Sequence, residues 1–127
     1  MDTPDRQQGD DMTFHGSCHC GAIAFEVEAD SIPSVIRCNC SICRRRGHLL
    51  WFVPRATFTL ETPESNASTY RFNTMKIAHR FCPVCGCGPY ADGQDKDGKP
   101  MAAVNVRCLD NVDLDSLKVI DYDGLHH

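Results

Sequence analysis

Short segments in which apolar and polar residues alternate recur along most of the chain. Between Ala22 and Glu28, the apolar residues Ile23, Phe25 and Val27 alternate with polar or small ones. A period of two is typical of a strand with one buried face, so this segment is predicted to be a half-buried strand. Alternation or a short apolar run predicts further strands at Ser34–Arg37, Leu49–Val53, Phe58–Leu60, Tyr70–Phe72, Met75–Phe81, Met101–Arg107 and Lys118–Tyr122.

Helical periodicity is weak throughout the sequence. No segment keeps apolar residues at i, i+3, i+4 and i+7 over three turns, and the best helical candidate is the short turn Asp113–Leu117. The polar run Asp92–Pro100 predicts a hairpin-like loop. The sequence therefore predicts a mainly β fold of short strands in small, irregular sheets.

Length and charge narrow the class of protein. The chain has 127 residues, which is enough for one domain. We expect this domain over residues 13–127, after a disordered tail at residues 1–12. Either Met1 or Met12 is the native start. It contains no apolar run of membrane-spanning length and no signal-peptide pattern, so we expect a cytoplasmic protein without membrane contact. The net charge of −4 argues against nucleic-acid binding.

The chain contains nine cysteines, and seven of them fall in three short groups. The groups are Cys18-His19-Cys20, Cys38-Asn39-Cys40-Ser41-Ile42-Cys43 and Cys82-Pro83-Val84-Cys85. A disulfide framework is the alternative, but disulfides belong to oxidising compartments, and cysteines this close seldom bridge each other. Clustered thiolates can instead surround one metal ion about 2.3 Å away. We expect zinc, with an iron–sulfur cluster as the lesser alternative.

The spacing of these groups predicts two different zinc sites. Structural zinc sites combine two short ligand pairs from distant parts of a chain. The two pairs here are Cys18/Cys20 and Cys82/Cys85, which together predict a closed four-cysteine site. The remaining group is Cys38, Cys40 and Cys43. Three ligands with an open fourth position is the arrangement of a reactive zinc, so we expect two zinc ions per chain.

Several residues near these groups are candidates for supporting roles. Cys87 is either a small buried thiol or a fourth ligand of the second zinc. The run Arg44, Arg45 and Arg46 is a solvated charged face, a counter-charge for the thiolate-rich zinc, or a binding site for a carboxylated substrate, to which planar guanidinium groups are suited. His48 follows the run and is expected at the same opening. We expect Cys108 to be a core thiol. His79 is either a core histidine or a proton shuttle, and Trp51 is either a core residue or a platform for the substrate.

Three motifs in this order carry a resemblance to a known family. They are Gly16-Ser17-Cys18-His19-Cys20-Gly21, Arg37-Cys38-Asn39-Cys40-Ser41-Ile42-Cys43 and Phe81-Cys82-Pro83-Val84-Cys85-Gly86. The sequence resembles the glutathione-dependent formaldehyde-activating enzymes, to which centromere protein V is also similar, from about Phe14 to Gly124. The resemblance implies a β-tent fold of small antiparallel sheets stapled by zinc knuckles. It also implies a structural zinc on the first and third motifs and a catalytic zinc on the second.

The expected chemistry follows from the three-thiolate site together with this resemblance. A zinc ion bound by three thiolates is a weak Lewis acid, better suited to hold another thiol as thiolate than to ionise water. We therefore expect a carbon–sulfur lyase-type enzyme, of the S-(hydroxymethyl)glutathione synthase type, that joins a thiol such as glutathione to formaldehyde or a related aldehyde. The alternative is a non-catalytic, zinc-stabilised binding module. The sequence predicts no oligomeric state.

Overall fold

The computed structural model describes residues 12–71, 77–110 and 112–123, which are almost entirely strand, turn and loop. The strands are β1 (Met12–Ser17), β2 (Ala24–Ala29), β3 (Val35–Cys38), β4 (Leu50–Pro54), β5 (Phe58–Leu60), β6 (Ser68–Tyr70), β7 (Ala78–Phe81), β8 (Tyr90–Gln94), β9 (Pro100–Asn105) and β10 (Val119–Tyr122). One α-helix, α1, spans Ser41–Arg46. Short 3₁₀ helices span Arg55–Thr57, Glu64–Asn66, Val106–Cys108 and Leu114–Ser116. The prediction of a mainly β fold is confirmed.

Several elements differ from the sequence-based expectation. Strand β1 begins at Met12, inside the predicted tail, whereas residues 1–11 lie outside the described part of the chain. Helix α1 was not predicted, and β8 takes up part of the predicted loop Asp92–Pro100. The predicted helical turn Asp113–Leu117 is a 3₁₀ helix. The predicted strand residues that fall within 72–76 lie outside the described residues.

The strands form two sheets of unequal size. The smaller sheet has the order β1-β2-β5, and the larger has the order β10-β3-β4-β9-β8-β7-β6. The pairs are antiparallel except for β10, which runs parallel to β3 at the edge of the larger sheet. The chain segments that follow β3 and β7 carry cysteine groups, so the larger sheet positions both candidate metal sites.

The core lies between the two sheets. Phe25 of β2 stacks on Phe58 of β5 with ring centroids 5.1 Å apart, and Phe58 meets Tyr90 of the larger sheet at 4.6 Å. Trp51 of β4 is buried and meets the Phe14 ring edge-on at 5.3 Å, which confirms its predicted core position. These contacts use only one face of the larger sheet, because successive residues of a strand point to opposite faces.

The other face of the larger sheet carries the alternate residues of the same strands. Phe52 of β4 pairs with Ala103 of β9, Ala103 pairs with Ala91 of β8, and Ala91 pairs with His79 of β7. This register places the four residues in one row across the sheet, on the face turned away from the core. The residue after β3 also starts the loop into α1, so the helix lies at one end of this face. No helix in the described ranges is long and apolar enough to cross a membrane.

Tyr90 gives a test of the core. Its hydroxyl is buried without a hydrogen-bond partner among the described residues, and burial raises the pKa of the phenol. Because an unsatisfied buried hydroxyl is destabilising, Tyr90→Phe should leave the free energy of unfolding unchanged or raise it by about 1 kcal/mol. Urea denaturation of both proteins measures this difference. A loss of more than about 1 kcal/mol would show that the hydroxyl has a partner.

Candidate active site

Four cysteine sulfurs from distant parts of the chain converge at one point. The Sγ atoms of Cys18, Cys20, Cys82 and Cys85 all lie within 4.8 Å of one another. The Sγ–Sγ distance is 3.8 Å between Cys18 and Cys20 and 3.6 Å between Cys20 and Cys82. Sulfurs about 2.3 Å from the centre of a tetrahedron are about 3.8 Å apart, so these distances fit a zinc ion. This group could hold a metal ion as the sequence analysis expects.

The two cysteine pairs come from different sheets. Cys18 follows β1 of the smaller sheet, whereas Cys82 follows β7 of the larger sheet, and both side chains are buried. The residue after each pair is a glycine with positive φ, 85° at Gly21 and 84° at Gly86. Glycine adopts this conformation without steric cost, which lets the chain turn back directly after the last ligand. A metal ion here would therefore join the two sheets.

Backbone amides point at the sulfurs of the second pair. The N–H of Cys85 donates to Cys82 Sγ at 3.4 Å and lowers the pKa of that thiol. The N–H of Cys87, with a second amide from the first pair, lowers the pKa of Cys85 to about 5. The Ala22 amide also lowers the pKa of Cys20, but the Cys82 sulfur and burial outweigh it and raise that pKa to about 11. The second pair is thus prepared for metal binding at neutral pH.

The other three clustered cysteines form a separate group around the start of α1. Cys38 ends β3, Cys40 is the N-cap of α1 and Cys43 lies one turn further, and their Sγ atoms lie within 4.8 Å of one another. The helix explains the spacing, because residues three apart lie on the same side of a helix. The Cys40 N–H donates to Cys38 Sγ at 3.4 Å. Burial raises the pKa of Cys38 and of Cys43.

This second group offers three protein ligands rather than four. No further cysteine, histidine, aspartate or glutamate joins it within 4.8 Å in the part of the chain that the structure describes. Cys87 lies with the other group, where its carbonyl accepts a hydrogen bond from the Cys82 N–H at 2.9 Å. Cys108 belongs to neither group, and burial raises the pKa of its thiol to about 12.

An apolar cleft adjoins the three-cysteine group on the open face of the larger sheet. Its volume is about 620 Å³. All three cysteines line it, as do the apolar side chains Ile36, Ile42, Leu50, Phe52, Ile77 and Met101. The small residues Ala91, Gly93 and Ala103 of β8 and β9 form the bottom of the cleft, and their small size makes the cleft deep.

A polar groove adjoins the same cysteines on another side. It has a volume of about 810 Å³ and shares Cys38, Cys43, His48 and Tyr122 with the apolar cleft. Its charged lining consists of Arg37, Arg44, Arg107, Asp115, Asp121 and Asp123. Arg37 is paired with Asp121 at 2.6 Å. The three-cysteine group therefore lies between an apolar cavity and a charged one.

The side chains of the arginine run, Arg44, Arg45 and Arg46, lie in three different surroundings. Arg44 lines the polar groove and Arg46 the apolar cleft, whereas Arg45 lines neither and donates to the Ser41 carbonyl at 2.9 Å. His48 lines both cavities, and burial together with the Arg46 charge lowers its pKa to about 4. The imidazole is therefore neutral at pH 7. The three arginines therefore do not line a single cavity.

Sequence reasoning missed several residues of these cavities. Arg107 follows β9 and lines the polar groove, where its Nε donates to the Gly47 carbonyl at 3.0 Å. His79, expected in the core, is half-buried on the wall of the apolar cleft. The alternation of Ala78 with His79 in β7 is the signal that could have placed His79 on the open face.

Comparison with known proteins identifies a family that matches most of the chain. A family model described as "Glutathione-dependent formaldehyde-activating enzyme" matches residues 13–120. The chain belongs to this family. All three cysteine groups lie within the matched range, so the resemblance inferred from the motifs is confirmed.

Individual proteins match the chain to different extents. A Halomonas elongata protein named "Putative glutathione-dependent formaldehyde-activating enzyme" is 50% identical over 34 residues, which is 27% of this chain and only 22% of that protein. The crystal structure of a Rhodobacter sphaeroides protein is 30% identical with a TM-score of 0.71. That match covers 84% of this chain and 99% of the other. The solved structure thus shares both fold and sequence over most of the chain.

Removing one sulfur from each group should have different effects. Cys85→Ser leaves three cysteines stranded between the two sheets, so we expect insoluble protein or loss of a cooperative thermal transition. Cys40→Ser alters a group drawn from one short segment, so we expect a folded protein with a melting temperature lowered by about 5 °C. Thermal melts and metal analysis of purified proteins measure both effects.

Metal analysis of the unaltered protein provides the reference for this comparison. We expect close to two zinc ions per chain, falling to about one in Cys40→Ser. One ion in the unaltered protein, or iron instead of zinc, would contradict the assignment of two sites. If Cys40→Ser unfolds as severely as Cys85→Ser, the second group is structural.

Proposed function

We propose that this chain is a zinc-dependent carbon–sulfur lyase-type enzyme that joins glutathione to formaldehyde or a related aldehyde at the three-cysteine group. Family membership supports the general activity. The observation that carries the finer proposal is the difference between the groups, four sulfurs in one and three in the other. Four ligands complete a tetrahedral zinc, whereas three leave a position for a substrate atom.

The donor sets fit zinc at both positions. Cys18, Cys20, Cys82 and Cys85 would hold the structural ion, and Cys38, Cys40 and Cys43 the reactive one. When bound at the second position, zinc would supply a site that keeps a fourth sulfur in its thiolate form at neutral pH. Free thiols and thiolate ligands require reducing conditions, so we propose the cytoplasm as the compartment.

The polar groove is the proposed glutathione site. Glutathione carries two carboxylates and one ammonium group, and the groove presents both cationic and acidic side chains. Arg44 and Arg107 are positioned to bind the carboxylates through charge-assisted hydrogen bonds, and Asp115 the ammonium group. The cysteine sulfur of glutathione then reaches the three-cysteine group, which lines the same groove through Cys38 and Cys43.

The proposed reaction requires one proton transfer and no redox step. The glutathione sulfur forms a bond to the aldehyde carbon, the carbonyl π bond opens, and the thiol proton ends on the resulting hydroxyl oxygen. Neutral His48 lines both cavities, so we assign to it the hydrogen bond to that oxygen. The uncatalysed addition of thiols to formaldehyde is facile, so holding the two reactants together supplies most of the required acceleration.

Exchange NMR of glutathione with formaldehyde tests the proposal. The unaltered protein should accelerate exchange, and Cys40→Ser should abolish the acceleration because it removes a ligand of the second group. Cys108→Ser is the matched control, because Cys108 belongs to neither group, and it should retain activity. Full activity of Cys40→Ser, or no acceleration by the unaltered protein, would contradict the proposal and favour a non-catalytic binding module.

A pair of arginine variants tests the assignment of the polar groove. Arg44→Ala should raise the apparent KM for glutathione by roughly ten- to a hundredfold, the effect of losing a charge-assisted contact. Arg45→Ala provides the control, because Arg45 has the same charge one residue away but lines neither cavity. Equal effects of the two substitutions would show that the groove does not bind glutathione.

A further inference from the structure

The apolar cleft is far larger than formaldehyde requires. Formaldehyde has only two non-hydrogen atoms, whereas the cleft encloses about 620 Å³ and falls within the range of sites for drug-sized ligands. The cleft also suits glutathione poorly, because most of its exposed lining is apolar and charged groups require polar partners. The two carboxylates that line it are already engaged: Asp92 accepts from Arg55 and Arg80, and Asp95 accepts from backbone amides. The size and lining of this cavity are therefore unexplained by the two substrates named so far.

The shape of the cleft follows from the alternation of side chains between the two faces of its strands. Residues on the open face of the middle strands are small, with Ala91 paired to Ala103 across β8 and β9. The flanking positions are bulky, and Phe52 and Ile77 are 50% and 49% exposed. Large apolar side chains therefore surround the small residues at the bottom of the cleft. Covering these apolar side chains with an apolar ligand would be favourable.

The apolar cleft extends to the three-cysteine group. Cys38, Cys40 and Cys43 line the cleft together with the apolar residues. Its charged, imidazole and amide side chains are Arg46, His48, His79, Asp92, Gln94 and Asp95. A ligand in the cleft therefore meets the sulfurs with one part of its structure and the apolar floor with the rest. This continuity indicates a substrate with a reactive polar head and an apolar body.

We propose that the aldehyde substrate carries an apolar arm, an alkyl chain of about six to eight carbons or an aryl group, that lies in the cleft. This inference rests on the proposed function and specifies its second substrate. Glutathione enters by the polar groove and the aldehyde by the apolar cleft, and they meet at the three-cysteine group, of which Cys38 and Cys43 line both cavities. The sulfur–carbon bond forms as the carbonyl π bond opens, and the thiol proton moves to the oxygen.

A series of aldehydes tests the length of this arm. With glutathione fixed, the KM for formaldehyde, butanal, hexanal and octanal should fall by up to roughly fourfold for each methylene buried. The fall should stop when the chain fills the cleft. Equal KM values along the series, with formaldehyde exchange still accelerated, would overturn the inference and leave the proposed function intact.

Substitutions inside and outside the cleft locate the effect. Phe52→Ser removes a half-exposed wall residue and Ala103→Leu fills the floor, so both should reduce the advantage of octanal over formaldehyde by tenfold or more. Val84→Ser is the control, because Val84 is 79% exposed and does not line the cleft. An unchanged chain-length advantage in both cleft variants would overturn the inference.

A non-reactive ligand separates this inference from the proposed reaction. Calorimetry with hexanamide and octanamide, compared with acetamide, should show tighter binding of the longer amides, and Phe52→Ser should weaken it. Longer amides that bind while no aldehyde is turned over would support the apolar site and contradict the proposed function. Amides that do not bind would overturn the inference. A change of oligomeric state in Phe52→Ser would also overturn it, because it would show that the cleft is an interface between copies of the chain.

Discussion

The four-sulfur contact between the two sheets is the constraint on which the rest of the structure depends. Cys20 and Cys82 are 62 residues apart in sequence, and their sulfurs lie 3.6 Å apart. A metal ion at this point would close a long loop, so its binding free energy would also be folding free energy. The pair after β1 and the pair after β7 thereby fix how the smaller sheet covers one face of the larger sheet, and they leave the other face open.

The open face gives the second cysteine group its surroundings. Because β3 ends at Cys38 and the chain turns directly into α1, three sulfurs gather at the end of an uncovered sheet face. An apolar cleft and a charged groove both reach these sulfurs. Two cavities of different polarity that meet at one set of ligands suit a reaction between two unlike molecules. In the proposed function these are a charged thiol and an aldehyde.

The sequence identified the cysteine groups better than their surroundings. Short spacings such as Cys82-Pro83-Val84-Cys85 specify local geometry, so both cysteine groups could be predicted without a structure. Alternation and short apolar runs predicted most strands, and Trp51 was correctly expected in the core. Helix α1 was missed because its six residues are too few for a helical period to show. The division of Arg44, Arg45 and Arg46 also escaped prediction, since it depends on the direction of α1 against the sheet. The position of the open face depends on which face of the larger sheet the smaller sheet covers. The pattern of strands in the sequence does not show how the two sheets pack.

The central claim is that the two cysteine groups bind metal in different ways, one closed and one able to accept a substrate thiol. Zinc-edge X-ray absorption of the protein with and without glutathione tests it most directly. The account predicts an average of about 3.5 sulfur neighbours per zinc, rising to about 4 when glutathione is added. About 4 sulfurs before the addition, or no change after it, would contradict a reactive second site.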